Sequence, residues 1–153
     1  MTKIDISDIK KLREKTGGGI ADCRKALVEA KGDFKKAEEL LKAWGIDKAA
    51  SKAERAVGAG LVENYVHGEG KVGAIVEINC ETDFVAKTDD FKNLAHEVAM
   101  QVAAMDPKDV EELLKQDYIR DASRKIEDLV KEAIAKLGEN IVVKRFMRFE
   151  LGQ

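Results

Sequence analysis

The sequence predicts an α+β protein: a three-helix N-terminal module, followed by a core of three antiparallel strands covered on one face by helices. Three observations carry that expectation. From Ile4 to Trp44 apolar residues recur at helical spacing, punctuated by glycines at 17–19, 32 and 45. At Leu61 the period changes to two and holds through Asn79, interrupted only by Gly68-Glu69-Gly70. From Phe91 the helical spacing returns, and the chain closes on a β-branched run between Glu139 and Leu151.

In order, Asp5 or Ser7 caps a first helix whose apolar face is Ile6, Ile9 and Leu12. Gly17-Gly18-Gly19 ends it, because a helix stop wants positive φ. A second helix runs from about Ile20 to Ala30 and buries Cys23, Leu27 and Ala26 or Ala30. Gly32 and Asp33 make the next stop and start, and Phe34, Ala37, Leu40, Leu41 and Trp44 line a third helix closed by Gly45. Residues 1–45 are therefore read as one small domain, 46–60 as an Ala- and Lys-rich helical linker, and 61–153 as an α+β core and dimerisation domain. Leu61 to His67 and Lys71 to Asn79 form a hairpin, with Val72, Ala74, Val76, Ile78 and Cys80 on the face that meets the helices. Phe91 to about Met105 is a helix capped by Thr88, with Met100 and Met105 as gap-filling core residues. Asp106-Pro107 reads as the start of another, and Asp121 to Leu137 as a third. The last strand, Glu139 to Leu151, carries apolar groups on both faces, and Ile75 adds to the outward one. A second copy covering that surface makes a homodimer the expected state.

Composition narrows the function. With 44% hydrophobic and 37% charged residues, 153 residues can bury a core under a charged exterior. A net charge of −2 offers no bulk attraction to nucleic acid or an anionic membrane. Residues 1–56 carry 14 Lys/Arg and 10 Asp/Glu against 13 and 19 in the rest, an asymmetry too small to define a partner. Cys23 and Cys80 lack metal or disulfide spacing and read as small buried hydrophobes in a reducing compartment. The charged opening MTKIDISDIKKL and the lack of an 18-residue apolar run suggest a cytoplasmic chain with no leader and no membrane span. Thr16-Gly17-Gly18-Gly19-Ile20 lacks the Lys-Ser/Thr ending of a phosphate loop, and His67 and His96 stand outside any nucleophile motif. No cofactor and no metal are expected, and no enzymatic active site.

The most informative stretch lies between the second strand and the helix at Thr88: Asn79-Cys80-Glu81-Thr82-Asp83-Phe84-Val85-Ala86-Lys87. A phenylalanine beside an aspartate in a short connection either folds back into the core or points outward to be buried by a partner. NCETDFVAK closely resembles the signature of the elongation factor Ts family, guanine-nucleotide exchange factors for elongation factor Tu. The resemblance extends to Leu12-Arg13-Glu14-Lys15-Thr16-Gly17, to Asp22-Cys23-Arg24-Lys25-Ala26-Leu27 with Gly32-Asp33, and to GENIVVKRFMRFELG at the end. It implies a ubiquitin-associated-like fold for the first three helices and a short form lacking a second core subdomain. It implies that Asp83 and Phe84, with Thr82 and Val85, contact elongation factor Tu near its magnesium site, Phe84 entering an apolar slot. It implies further contacts from Leu12, Arg13, Ile20 and Arg24. Two rival readings compete. A ubiquitin-binding module leaves NCETDFVAK unexplained, and an enzyme using Cys23 or Cys80 as nucleophile lacks a histidine motif nearby.

Overall fold

A computed structural model describes residues 4–153; Met1 to Lys3, part of the charged opening, lie outside it. Helices α1 (Ile6–Thr16), α2 (Ile20–Glu29) and α3 (Phe34–Lys52) come first. Gly17 stops α1 in the left-handed region at φ +69°, its N–H donating to the Arg13 carbonyl at 2.7 Å. Asp33 starts α3 by accepting the Lys36 N–H at 3.1 Å. Leu12, Cys23, Ala26, Leu27, Ala30 and Ala37 close a small core, with Ile4, Ile9, Phe34, Leu40, Leu41 and Trp44 around it. Ile6, expected on that face, is exposed, and Ile4 ahead of the helix packs there in its place.

The expected stop at Gly45 does not occur. Helix α3 runs on to Lys52, and its far end reaches the second core through buried Ala49. Gly45 is where it passes helix α7 (Ile126–Leu137): a methyl group placed there would sit 3.4 Å from the Ala135 side chain. Mid-helix glycine costs about 1 kcal/mol against alanine, and here it permits a close crossing, so tertiary packing overrides the local signal.

Strands β1 (Ala59–His67) and β2 (Val72–Cys80) form the predicted hairpin, and β5 (Ile141–Glu150) pairs antiparallel on the other side of β2, giving the order β1-β2-β5. Gly60, which the sequence reading puts at the end of the helical linker, is inside β1. Its φ is +142°, and a Cβ would lie 2.2 Å from the Ile78 carbonyl oxygen, so only glycine fits. The two-sided apolar pattern of the last strand has a simple cause. Glu77 pairs with Arg145 but Ile78 pairs with Val143, leaving Lys144 as an extra residue in a bulge. Ile141 and Val143 point inward before it, whereas beyond it Met147 and Phe149 point outward and Phe146 packs inward.

Between β2 and β5 the chain covers the inner face. A single turn α4 (Asp83–Ala86) leads into α5 (Asp89–Met105), whose Phe91, Leu94, Ala95, Val98, Ala99 and Val102 pack on Ala74, Val76, Ile78 and Cys80. Met100 is buried, but Met105 is half exposed at the helix end. Asp106-Pro107 does not start the next helix: Asp106 ends α5 in a left-handed conformation, and α6 (Val110–Lys115) begins at Asp109, which accepts the Glu112 N–H at 2.8 Å. Residues 121–125 are not helical either. They are strand β4 (Asp121–Lys125), paired with β3 (Asp117–Tyr118), and α7 begins only at Ile126. The buried Gln101 side chain holds this hairpin, donating to the Asp117 carbonyl at 3.0 Å and accepting the Ile119 N–H at 3.0 Å. Among the described residues no helix is long and apolar enough to cross a membrane.

Candidate functional site

The stretch singled out in the sequence forms a projecting tip. Strand β2 ends at Cys80, whose thiol is enclosed and donates to the Thr82 carbonyl at 3.2 Å. Thr82 then caps α4, its hydroxyl accepting the Val85 N–H at 3.3 Å. Six residues later Thr88 repeats the device, accepting the Phe91 N–H at 3.2 Å and donating to the Val85 carbonyl at 2.7 Å. Two threonine caps in close succession make one short turn and then one long helix.

The turn divides its residues by direction. Val85 and Ala86 face inward and join the main core, while Thr82, Asp83 and Phe84 are exposed. Phe84 is 83% exposed, the highest of the large apolar side chains that stand out among the described residues. Such a ring gains nothing from folding and is available for a partner. Val85, by contrast, anchors the turn and is no part of its outer surface, since a β-branched residue at that position fills the core beside Cys80.

Two residues just ahead of β5, Glu139 and Asn140, neither named as a site residue from the sequence, hold the turn in place. The Glu139 carboxylate accepts the N–H groups of Glu81 and Thr82 at 3.1 and 3.0 Å and the Thr82 hydroxyl at 2.6 Å. In return the Glu81 carboxylate accepts the Asn140 N–H at 2.8 Å. The buried Asn140 amide donates to the carbonyls of Ala53 and Arg55, at 3.3 and 2.9 Å, in the connection that follows α3. Sequence spacing could not reveal this, because the partners are 57 to 87 residues apart.

The second predicted group lies on the N-terminal helices. Ile20 is 60% exposed at the first position of α2, with Arg24 one turn along the same helix and Arg13 on α1 also exposed. Leu12 is not with them: it is wholly enclosed among Cys23, Leu27 and Ala37 and holds the helices together. The tip and the α2 patch lie on different elements, each with an exposed apolar side chain beside a charged one.

Reactive groups are placed otherwise. Burial pushes the Cys80 thiol above its ordinary pKa, and the carboxylate of Glu139 adds to the shift. Burial likewise raises Cys23. Both shifts disfavour the thiolate, which runs against the nucleophile reading. Tyr65 meets His67 at 3.1 Å through its hydroxyl and His96 edge-on through its ring. Among the described residues no three His, Cys, Asp or Glu side chains gather as a metal site. A cleft of about 520 Å³ between α3 and α7 is lined by charges that satisfy one another, Lys15 with Glu38 and Lys48 with Asp22, both at 2.5 Å.

Comparison with known proteins gives one consistent result. A family described as "Elongation factor TS" matches residues 81–153. Elongation factor Ts of Coprothermobacter proteolyticus is 43% identical over 99% of this chain and 100% of its own length. The protein of the same name from Thermoanaerobacter sp. (strain X514) is 42% identical over 98% and 96%, and that of Herpetosiphon aurantiacus 43% over 97% and 98%. The first of these alignments spans 196 positions against a chain of 153 residues, so more than forty positions of that relative have no counterpart inside this chain.

Proposed function

The chain belongs to the elongation factor Ts family, with a nucleotide-exchange role in translation elongation, and we propose that it exerts that role by binding elongation factor Tu and promoting release of its GDP. The observation that supports this best is Phe84: a large apolar ring, exposed, next to an exposed carboxylate, on a turn whose other side is fixed in the core. Exchange needs no bond made or broken. A GTPase holds its nucleotide through a phosphate loop and a magnesium ion. A partner that binds better when those contacts are disturbed must, by reciprocity, weaken nucleotide binding by the same factor.

On this reading Phe84 enters an apolar slot of the GTPase and Asp83 disturbs the field around its magnesium. Ile20, Arg13 and Arg24 supply contact area that offsets the distortion, while Leu12 and Val85 act from within the two cores. Residues 1–45 and 61–153 are two functional domains in this scheme, each with its own apolar cluster. The chain acts in the cytoplasm on a protein partner, without nucleic acid, membrane or cofactor.

We also propose a homodimer. Val62, Val66, Ile75, Met147 and Phe149 are exposed on the outer face of the sheet, in a band broken by the Glu77–Arg145 pair at 2.6 Å. A two-fold partner presenting the same band would cover it.

The deciding experiment measures labelled GDP leaving elongation factor Tu with and without this protein, beside retention of Tu on the immobilised chain. Faster release, reversed by excess GDP with magnesium, is the expected result. Unchanged release with no retention would rule the proposal out, as would micromolar GDP binding by the chain alone.

A further inference from the structure

We infer that Glu139 is a positioning residue for the Asp83–Phe84 tip, setting the direction in which the turn is presented; the inference rests on the exchange reading above. Helix α4 has four residues, far below the length at which a helix persists in water. Something beyond its own hydrogen bonds must fix the direction of Phe84. The ring itself contributes nothing, being almost wholly exposed.

Two supports remain. Val85 and Ala86 pin the inner side of the turn by packing. On the entry side the Glu139 carboxylate takes three donors from two consecutive residues, the N–H groups of Glu81 and Thr82 and the Thr82 hydroxyl. Bonds to an ionised acceptor are roughly twice as strong as neutral ones. Three of them at one carboxylate restrict rotation of the strand-to-turn junction in a way that packing of Val85 and Ala86 alone does not. The Thr82 hydroxyl joins both parts, since it donates to Glu139 and caps α4 by accepting from Val85. Among the described residues, Glu139 is the one side chain from outside the 80–91 segment that hydrogen-bonds to the backbone of the tip.

Glu139 itself is anchored from below. The next residue, Asn140, donates its N–H to the Glu81 carboxylate and its side-chain amide to the Ala53 and Arg55 carbonyls. The two carboxylates are thus exchanged between segments, each holding the backbone of the other. The Thr82 end of this arrangement is exposed, so water can take the place of the Glu139 carboxylate when it is removed. The fold then survives while the direction of the turn relaxes.

The test compares full-length Glu139→Ala, Glu139→Gln, Phe84→Ala and the Glu139→Ala/Phe84→Ala double variant in the labelled-GDP assay, each with a thermal melt. Glu139→Ala is expected to slow stimulated release by about tenfold to a hundredfold, the range for a small misplacement of a contact group, with melting moved by only a few degrees. Glu139→Gln should recover much of the rate, because its amide oxygen still accepts both N–H groups. The double variant should be slower than Phe84→Ala alone by much less than the factor Glu139→Ala shows in the wild-type background, since only Asp83 is then left to position. Wild-type exchange by Glu139→Ala beside a slow Phe84→Ala would overturn the inference and leave the exchange reading standing. Multiplying effects in the double variant, or a Glu139→Gln as slow as Glu139→Ala, would overturn it as well. If Phe84→Ala exchanges normally, the exchange reading itself fails, and this inference with it. Should Glu139→Ala melt early, Glu139→Asp decides in its place: slow exchange at a wild-type melt supports positioning, and a wild-type rate refutes it.

Discussion

Phe84 and Val85 are neighbours on one turn with opposite surroundings, and the same truncation should do opposite things to them. Phe84→Ala removes a ring that touches almost nothing in this chain, so folding stability is expected to move by no more than about 0.5 kcal/mol. Exchange should fall about thirtyfold, the equivalent of roughly 2 kcal/mol for an aromatic anchor filling a partner pocket. Val85→Ala should cost roughly 2 kcal/mol of folding stability, because its side chain is 4% exposed and packed in the main core. Its exchange rate while folded should change less than that of Phe84→Ala. Chemical denaturation beside stopped-flow release of labelled GDP separates the pair. A Phe84→Ala protein that unfolds much earlier yet exchanges normally would reverse the assignment.

The elements most legible in the sequence were those whose local pattern and tertiary role agree. The β1–β2 hairpin has a turn of Gly68-Glu69-Gly70, an alternating face and a register pairing Ala59 with Cys80. Helix α5 has an apolar stripe and a threonine cap. Elements misread were those decided by distant partners. Gly45 signals a stop, but its place against Ala135 lets α3 continue. Asp106-Pro107 looks like a helix start, while the capping oxygen is supplied three residues on by Asp109. The β3–β4 hairpin carries little strand signal of its own and depends on Gln101, the one polar residue on the buried face of α5. That dependence gives a prediction. Gln101→Leu removes the partner of the Ile119 N–H and of the Asp117 carbonyl, and should cost about 1 kcal/mol, the net worth of a hydrogen bond, because both residues are exposed and water can reach them. Hydrogen exchange should quicken first at Ile119. Unchanged protection there would show that the hairpin stands without it. The site divides the same way: the tip is written in consecutive residues, whereas Glu139 and Asn140 reach it across the fold.

For the whole molecule, a sheet covered on one side has an apolar outer band centred on Ile75. Ile75 is half exposed, between Asn64 and Met147 on the flanking strands. Ile75→Glu should therefore leave the monomer fold intact and convert a dimer to a monomer in sedimentation or light scattering at micromolar concentration. A wild-type protein that is monomeric throughout that range would reject the dimer. The unbroken α3 has a different consequence. Nineteen residues of helix make a rod of about 28 Å, joining the small three-helix core to the sheet and its helices. If Ile20 and Phe84 both dock on elongation factor Tu, as proposed above, they become two prongs of one chelating body. Once either prong has docked, the other samples its pocket at a high effective concentration, so two individually weak contacts multiply into one firm grip. On that proposal, loosening the rod would leave every contact residue in place and still forfeit the multiplication.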